Sequence, residues 1–488
     1  MRDTILPETL IAQLTTQLST TIHEVFHQVQ ELLTTGDVLA LCEVVTSLTH
    51  TLADRLWDTT LSLILQDQVF LKRLRAWGRS CGWQFVSYQH ITVILPSGTR
   101  VKITSPFFVK MTPRRGRKKR GPQGRGTHLA LTLLGFVDKV APELAYQAAQ
   151  WAVLAPSFEV ASALLAEMGV ELPPRKLGRL CQQIGGGSME KRVAATLEPE
   201  ETLAGQRVLL GRDGGRLRTR RTKKGRLPKG KKRHGFYTDW VEPKLFTLHV
   251  LDEHGKVSTT HRPFVDGTPR KLPQFMTLLE TYLRALQIDQ AREVAVVGDG
   301  AVWIWERIPA LLTRLGVAPT NIVEVLDWTH AVQNLNTVLR LVPRNARKHG
   351  TVKIRTLKNL IFEGQIPKLI ETMQTAFQLT TRSKSLKKLH SYFRDNQDRM
   401  QYRQAEQRKV PLGSGVIESA IRRVVNLRLK SPGAFWTVKR VDPMLFLRAQ
   451  VLYGRWKTLV KHQRTRAQIL FQAFLDNNDG GKANCVLN

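Results

Sequence analysis

The sequence predicts an α/β domain that gives way to a long helical stretch, preceded by helical and small β modules and a helix-turn-helix. Three observations predict it. Two short apolar strands, VLLGRDGG (208–215) and EVAVVGDGA (293–301), each end in Asp-Gly. Helix-forming, polar-amphipathic sequence then fills His330 to about Lys409. Earlier, the hydrophobic period changes from helical to alternating near residue 83. A chain of 488 residues exceeds one ordinary core, so three or four packed modules are expected.

Residues 5 to about 75 read as helices, with apolar positions at three- and four-residue spacing through Ile11, Leu14, Leu18 and Ile22. WQFVSYQHITVILPSGTRVKITSPFFVK (83–110) alternates, is rich in β-branched and aromatic residues, and holds a PSG turn, so it reads as a small sheet. It stops at the basic run PRRGRKKRGPQGRG (113–126), either a solvated loop or a phosphate contact. Helices resume at Leu129. SFEVASALLAEMGVELPPRKLGRLCQQIG (157–185) divides at Met168-Gly169-Val170 into two amphipathic helices. Ala161, Leu164 and Leu165 are expected to pack on Leu177 and Leu180, leaving Arg175, Lys176 and Arg179 outward. A plain helical hairpin has the same pattern; with this charge the helix-turn-helix reading is preferred, its second helix entering the major groove.

The glycines 185–187 are expected to end that helix and lead into a linker helix. Beyond the strand at 208, the tract GRLRTRRTKKGRLPKGKKR (215–233) contains no acid. Its first half, with Arg216, Arg218, Arg220 and Arg221 among short residues, suits a strand edge, and Lys229, Lys231, Lys232 and Arg233 suit a mobile tip. WVEPKLFTLHVLDEHGK (240–256) is a second strand region, FVDGT (264–268) a turn, and RKLPQFMTLLETYLRALQ (270–287) an amphipathic helix. NIVEVLD (321–327) is a further strand, and GSGVIESAIRRVVNLRLK (413–430) a helix with one acid near its start.

Composition limits the function. Lys and Arg total 74 against 40 Asp and Glu, a formal net charge of +34. That excess repels itself unless a polyanion lies alongside, and nucleic acid also returns condensed counterions. A ribosomal association or general stickiness to acidic surfaces are the bland alternatives. Four scattered cysteines, Cys42, Cys81, Cys181 and Cys485, form no CxxC pair, which argues against a zinc ribbon or a disulfide framework and fits a reducing cytoplasm. The N-terminus has no secretory pattern and no stretch approaches the ~20 apolar residues of a membrane span.

Three acids stand out by position. Asp213 and Asp299 each close an apolar strand, where side chains in an open α/β sheet reach the ligand cleft, and a glycine follows each. Glu418 lies early in a helix whose start, Gly413-Ser414-Gly415, has little bulk. Mg²⁺ takes hard oxygen ligands and keeps places for water and phosphate. Two such ions about 3.5–4 Å apart can serve both oxygens of an in-line displacement at phosphorus. Each acid alone has a plainer reading, since Asp-Gly is a common turn and a glutamate early in a helix favours the macrodipole. Asp327 closes the strand NIVEVLD and His330 follows it, and His330 has the chemistry to orient a carboxylate, touch phosphate or simply cap that strand. Trp303, Trp305 and Trp328 read as core, though an indole at the cleft has the chemistry to stack on a flipped base.

VVGDGAVWIW (296–305) with VLDWTHAVQNL (325–335), and YFRDNQDRMQYRQ (392–404) with PLGSGVIESAIRRVVNLRLK (411–430), carry a resemblance. From about Val208 to Trp456 the chain resembles the Mutator-like DDE transposases of bacterial insertion sequences, the ISKra group. The glutamate block is the most specific part. The resemblance implies Asp213, Asp299 and Glu418 as the catalytic, Mg²⁺-holding triad (Mn²⁺ a possible substitute), with Asp327 and His330 accessory. It implies an α/β RNase H-like catalytic domain with Asp213 on its first strand and Asp299 after its fourth, interrupted by an all-α insertion. The expected modules are a helical region 1–80, a small β module 81–127, a helix-turn-helix region 128–200, the catalytic domain 205–329 with 411–460, the insertion 330–410, and a C-terminal helix and tail 461–488. Relatives often carry cysteine pairs where this chain has MTPRRGRKKRGP (111–122), so no zinc is expected.

The activity implied is hydrolysis at transposon ends by metal-activated water, then attack of the freed 3′-OH on target DNA. The protein would act as a homodimer or higher oligomer on DNA, in the cytoplasm at the nucleoid, with no membrane partner. A domesticated DNA-binding protein without catalysis is the alternative from another class, and it predicts loss of a triad acid; a host RNase H-like nuclease is a third. Arg175, Lys176, Arg179, Arg216, Arg218, Arg220 and Arg221 are the expected DNA contacts. Neutralising the last four should lower the log–log salt slope of binding to random duplex by up to about 3–4. Affinity measured at several salt concentrations checks this, and an unchanged slope would mean the tract only steers encounter.

Overall fold

A computed structural model describes residues 8–35, 38–110, 126–227, 229–231, 233–349, 352–380, 382–431 and 433–476. The basic run at 113–126 lies outside them apart from Gly126, and so does Lys232. Contacts divide the chain into two compact units, one of residues 1–188 with 459–488 and the other of 189–458.

The first unit opens with helices Glu8–Thr35, Val38–Gln66 and Gln68–Ser80, the last N-capped by Asp67, which accepts the Val69 amide at 2.8 Å. The expected small sheet is present: β1 (Trp83–Ile94) pairs antiparallel with β2 (Arg100–Lys110), and the two-residue β3 (Gly126–Thr127) adds to β2. Leu61, Leu74, Trp77, Val93, Phe108 and Leu129 form its core, joined by Phe474, whose ring meets Trp77 edge-on. Cys81 is disulfide-bonded, whereas Cys42 is an exposed thiol and Cys181 a buried one near the Ala149 carbonyl.

The two helices of the expected helix-turn-helix are Phe158–Glu167 and Pro174–Ser188, packed through Ala161, Leu165, Leu177 and Leu180, all buried. Two details depart from expectation. The second helix runs straight through Gly185–Gly187, held at its end by Arg466 on the Gly187 carbonyl and Gln463 on Ser188; no linker helix follows, only a short 3₁₀ turn Met189–Lys191. Lys176 does not face outward. Its ammonium turns onto Asp138 at 3.1 Å with the side chain 12% exposed, and Arg179 reaches the same carboxylate at 3.0 Å, because Asp138 offers two cations one shared partner. Arg175 is exposed.

The second unit is mixed α/β. Its five-stranded sheet comprises β4 (Arg207–Gly214), β7 (Lys244–Leu251), β8 (Phe264–Thr268), β9 (Glu293–Gly298) and β10 (Ile322–Leu326) in the order β10-β9-β4-β7-β8. The pairs β4–β9 and β9–β10 are parallel; β4–β7 and β7–β8 are antiparallel. Between β4 and β7 in sequence, β5 (Leu217–Thr222) and β6 (Phe236–Val241) form a separate two-stranded ribbon. Helices Leu272–Ala285 and Val302–Arg314 bury Phe275, Leu279, Ile308 and Leu312 against Val208, Leu210 and Val296. The helical stretch 328–407 continues the same core through Leu335, Leu369 and Phe393.

A second, smaller cluster places Ile417, Ala420 and Ile421 on Leu245 and Val265. That docking depends on Gly211: a Cβ there would come within 2.9 Å of Thr247 Oγ1 and 3.1 Å of the Ile417 Cβ. Glycine on β4 therefore lets the glutamate helix lie close to the sheet.

FVDGT is not the expected turn but the buried strand β8. Asp266 is 1% exposed, pairs with Arg192 at 3.1 Å and accepts from the Tyr282 hydroxyl at 3.0 Å. Arg192 also reaches Asp442 at 3.3 Å and the Gly267 carbonyl at 2.9 Å. Removing this cation leaves the buried Asp266 without an ion partner, while Asp442 keeps Arg270 at 3.1 Å. Arg192→Met should therefore lower stability by about 3–5 kcal/mol. In urea the midpoint should drop with little change in slope, and an unmoved midpoint would show the network to be energetically neutral.

Candidate active site

The C-terminal ends of the parallel strands β4, β9 and β10 lie side by side, and an acid follows or closes each. Asp213 is the penultimate residue of β4, Asp299 follows β9, and Asp327 follows β10. Parallel strands in register end together, so three acids distant in sequence reach one edge of the sheet.

Asp327 is the most tightly held. It N-caps the helix Trp328–Leu341, and its Oδ1 accepts the His330 amide at 2.7 Å and lies 3.1 Å from His330 Nδ1. Its Oδ2 accepts the Ser414 amide at 2.5 Å. Burial works to raise its pKa, but these hydrogen bonds outweigh it and hold the carboxyl below the usual range. The Asp327 and Trp328 amides donate in turn to the carbonyls of Gly298 and Leu412. One residue thus joins β9, β10 and the chain entering the glutamate helix.

Glu418 lies on the helix Gly415–Ala420, which loosens into a π-helical turn at Ile421–Asn426. Its carboxylate is exposed and accepts from Ser414 Oγ at 2.9 Å. Donor atoms of Asp327, His330 and Glu418 all fall within 4.8 Å of one another, close enough to share a cation. The sequence reading did not anticipate Ser414; its amide and hydroxyl hold one acid each.

Asp213 belongs to the same electrostatic neighbourhood. Burial raises its carboxyl pKa, the Gly214 amide lowers it, Asp299 and Glu418 raise it, and His330 lowers it, for a net rise. So Asp299 and Glu418 both act on Asp213, although the tightest donor group is Asp327–His330–Glu418 rather than the expected triad. Asp299 accepts the Ala301 amide at 3.3 Å, and its carbonyl takes the Trp305 indole N–H at 3.0 Å.

Arg212 went unnoticed in the sequence because it looks like one more basic residue. Its side chain is 2% exposed and lies beneath Gly298, where a Cβ would come within 2.2 Å of Nη2. The indoles of Trp303 and Trp305 flank the guanidinium at 5.4 and 5.5 Å. Burial pushes its pKa down to about 9 while Asp299 and Asp213 pull it up. A cation is therefore held behind the two aspartates. These two tryptophans serve Arg212 and Asp299, and Trp328 packs on Phe362 and Tyr402, so all three are committed to packing rather than to a flipped base.

No family model matches the chain, and no curated protein does. Among solved structures it is similar to a Drosophila P element transposase strand transfer complex, at 12% identity over 70% of this chain and 87% of that one, with a TM-score of 0.23. A superposition that loose bears on neither fold nor chemistry. Among the described residues no helix is long and apolar enough to cross a membrane.

The ribbon β5–β6 leaves the sheet directly after the Asp213-Gly214 pair. Arg216, Arg220 and Arg221 are exposed on it, and Arg218 is half-buried. A cavity of about 640 Å³ lined by Arg192, Leu197, Thr268, Gln274 and Asp442 includes none of the acids above.

The raised pKa of Asp213 has a stability consequence. A carboxyl whose folded pKa exceeds its unfolded value stabilises fully below the unfolded pKa and loses that contribution as pH rises through the folded pKa. Without divalent ions, ionisation of Asp213 as pH rises through that folded pKa therefore costs stability. Asp213→Asn should raise the thermal midpoint in chelator and shrink the rise that Mg²⁺ gives the wild type. A lower midpoint for the variant in chelator would contradict the reading.

Proposed function

We propose that this protein is a DDE transposase that cleaves DNA strands and joins them at the ends of an insertion sequence. The observation that carries the reading is that Asp299 and Glu418 both act electrostatically on Asp213, at one end of a mixed sheet and beside a ribbon of exposed arginines. Supporting it, the strand order β10-β9-β4-β7-β8, with only β7 reversed against both its neighbours, suits an RNase H-like domain. Asp213 lies on the first of these strands in chain order, Asp299 follows the fourth, and a helical insertion precedes Glu418. The motif resemblance to the ISKra group points the same way.

A set of carboxylate oxygens suits Mg²⁺ or Mn²⁺. Asp213, Asp299 and Glu418 would hold the ions, which when bound supply Lewis-acid activation of the attacking and leaving oxygens. The chain's own groups have distinct tasks. Ser414 Oγ holds Glu418 in place. Asp327 orients His330: with the Nδ1 proton on Asp327, Nε2 is left for a ligand or a phosphate oxygen. Three of the roughly four lone-pair sites of Asp327 already accept hydrogen bonds, which favours a positioning role over metal binding. Arg212 offsets the aspartates' charge from behind. Arg216, Arg218, Arg220 and Arg221 bind phosphates flanking the scissile bond, and Arg175 and Arg179 contact base edges at the element's ends. Under this reading the protein works at the nucleoid as a dimer or larger assembly on DNA.

Asp213→Ala, Asp299→Ala and Glu418→Ala should each abolish Mg²⁺-dependent cleavage of an end-bearing duplex while binding holds or tightens, since each removes negative charge. Asp327→Asn should leave measurable cleavage. Robust cutting by any triad variant would sink its assignment, and complete loss in a folded Asp327→Asn would reopen which aspartate is the second ligand.

A further inference from the structure

Strand aromatics ordinarily turn inward. On the β5–β6 ribbon they do the opposite: Phe236, Tyr237 and Trp240 are 43%, 51% and 50% exposed within five consecutive positions. The register sorts the ribbon into two faces. Arg218 stands opposite Trp240 and Thr222 opposite Phe236, so Arg218, Arg220, Phe236 and Trp240 share one face, which Arg216, just before the strand, also reaches. The other face carries Leu217 and Thr219, both buried, together with Tyr237, Arg221 and the acid Asp239, the last two pairing at 3.0 Å. The outer face thus has cations and rings and no acid.

These groups are interleaved. The Arg216 guanidinium lies 4.8 Å over the Trp240 ring, and Arg218 lies 5.0 Å over Phe435, whose ring sits 5.3 Å from Phe236. The ribbon is also anchored. Thr219 bridges to Trp436, the Arg220 amide donates to the Trp436 carbonyl at 2.7 Å, and Trp436 Nε1 donates to Leu429 just beyond the glutamate helix. At its root, Gly215 lies against Val425 and Ile421 of that same helix. It is a fixed surface beside the acids, not a solvated loop.

We propose that this face is a stacking platform for unpaired nucleotides of DNA. The inference rests on the reading of the protein as a DNA strand-cleaving enzyme, and names what the ribbon holds. Phosphates alone would need only the cations, as on a duplex backbone. Exposed rings interleaved with guanidinium planes match the alternation of base and phosphate along a single strand. An enzyme that frees a strand end at Glu418 would have a surface one strand away on which to hold it.

The test uses the full-length protein, with fluorescence anisotropy on a single-stranded oligothymidine and on a random duplex. Trp240→Ala should weaken single-strand binding roughly tenfold, the scale of one lost base–aromatic stack, and leave duplex affinity within about twofold. Its salt slope should not change, since no phosphate contact is removed. Trp240→Phe should restore most of the loss, and Phe236→Ala should repeat the single-strand defect if Trp240→Ala proves insoluble. Equal weakening on both DNAs, or no weakening on either, would overturn the platform. If the wild type cut no DNA while the Trp240 effect persisted, the cleavage reading would fall and the platform stand; if it bound no DNA at all, both would fall.

Discussion

The candidate site hangs on one buried carboxylate. Asp327 receives amides from His330, three residues on, and from Ser414, 87 residues on. The second bond closes the whole helical stretch back onto the sheet. Closing so long a loop costs entropy that grows only slowly with length, so a few well-made contacts at its neck suffice. The neck has them: the Trp328 amide donates to Leu412, and Arg408 pairs with Glu293 at 2.7 Å beside Arg207 on the same carboxyl group. With the neck closed, Ser414 stands where its hydroxyl meets Glu418, and Glu418 comes within electrostatic reach of Asp213.

Charge is arranged on the same principle. Burial does most to raise the Asp213 pKa, and repulsion from Asp299 and Glu418 adds to it. Two features offset this within the fold. Arg212 lies buried behind the aspartates between two indoles, and Gly298 leaves room for it. Donated amides from Gly214, Ala301, His330 and Ser414 meet carboxylate oxygens directly. In front, the exposed arginines of the ribbon present the opposite sign to solvent. An acidic pit edged by basic surface draws in a polyanion and still repels it from the pit itself unless cations intervene.

Much of this was legible in the sequence because local pattern and tertiary role agreed. Asp213 and Asp299 end apolar runs and do sit at strand ends; the alternating arginines of 216–221 do form a strand. The misreadings share one cause, a partner far along the chain. Asp266-Gly267 has a turn's signature, but Arg192 and Tyr282 make it a buried strand. Lys176 has a surface residue's pattern until Asp138 claims it. Gly185–Gly187 should break a helix, yet Arg466 and Gln463 cap its end. Arg212 was invisible for a different reason: neighbours on a strand face opposite ways, so a cation beside a site acid need not face solvent.

Cleavage of the chain by iron tests the central claim most directly. Fe²⁺ replacing Mg²⁺, with ascorbate and peroxide, cuts backbone near the bound ion. Carboxylates of β4, β9 and the glutamate helix holding one cation site predict cuts clustered near residues 213, 299 and 414–418, all suppressed by excess Mg²⁺. Cuts confined to one of these segments, or insensitive to Mg²⁺, would contradict the gathering of these acids into a single metal-binding site.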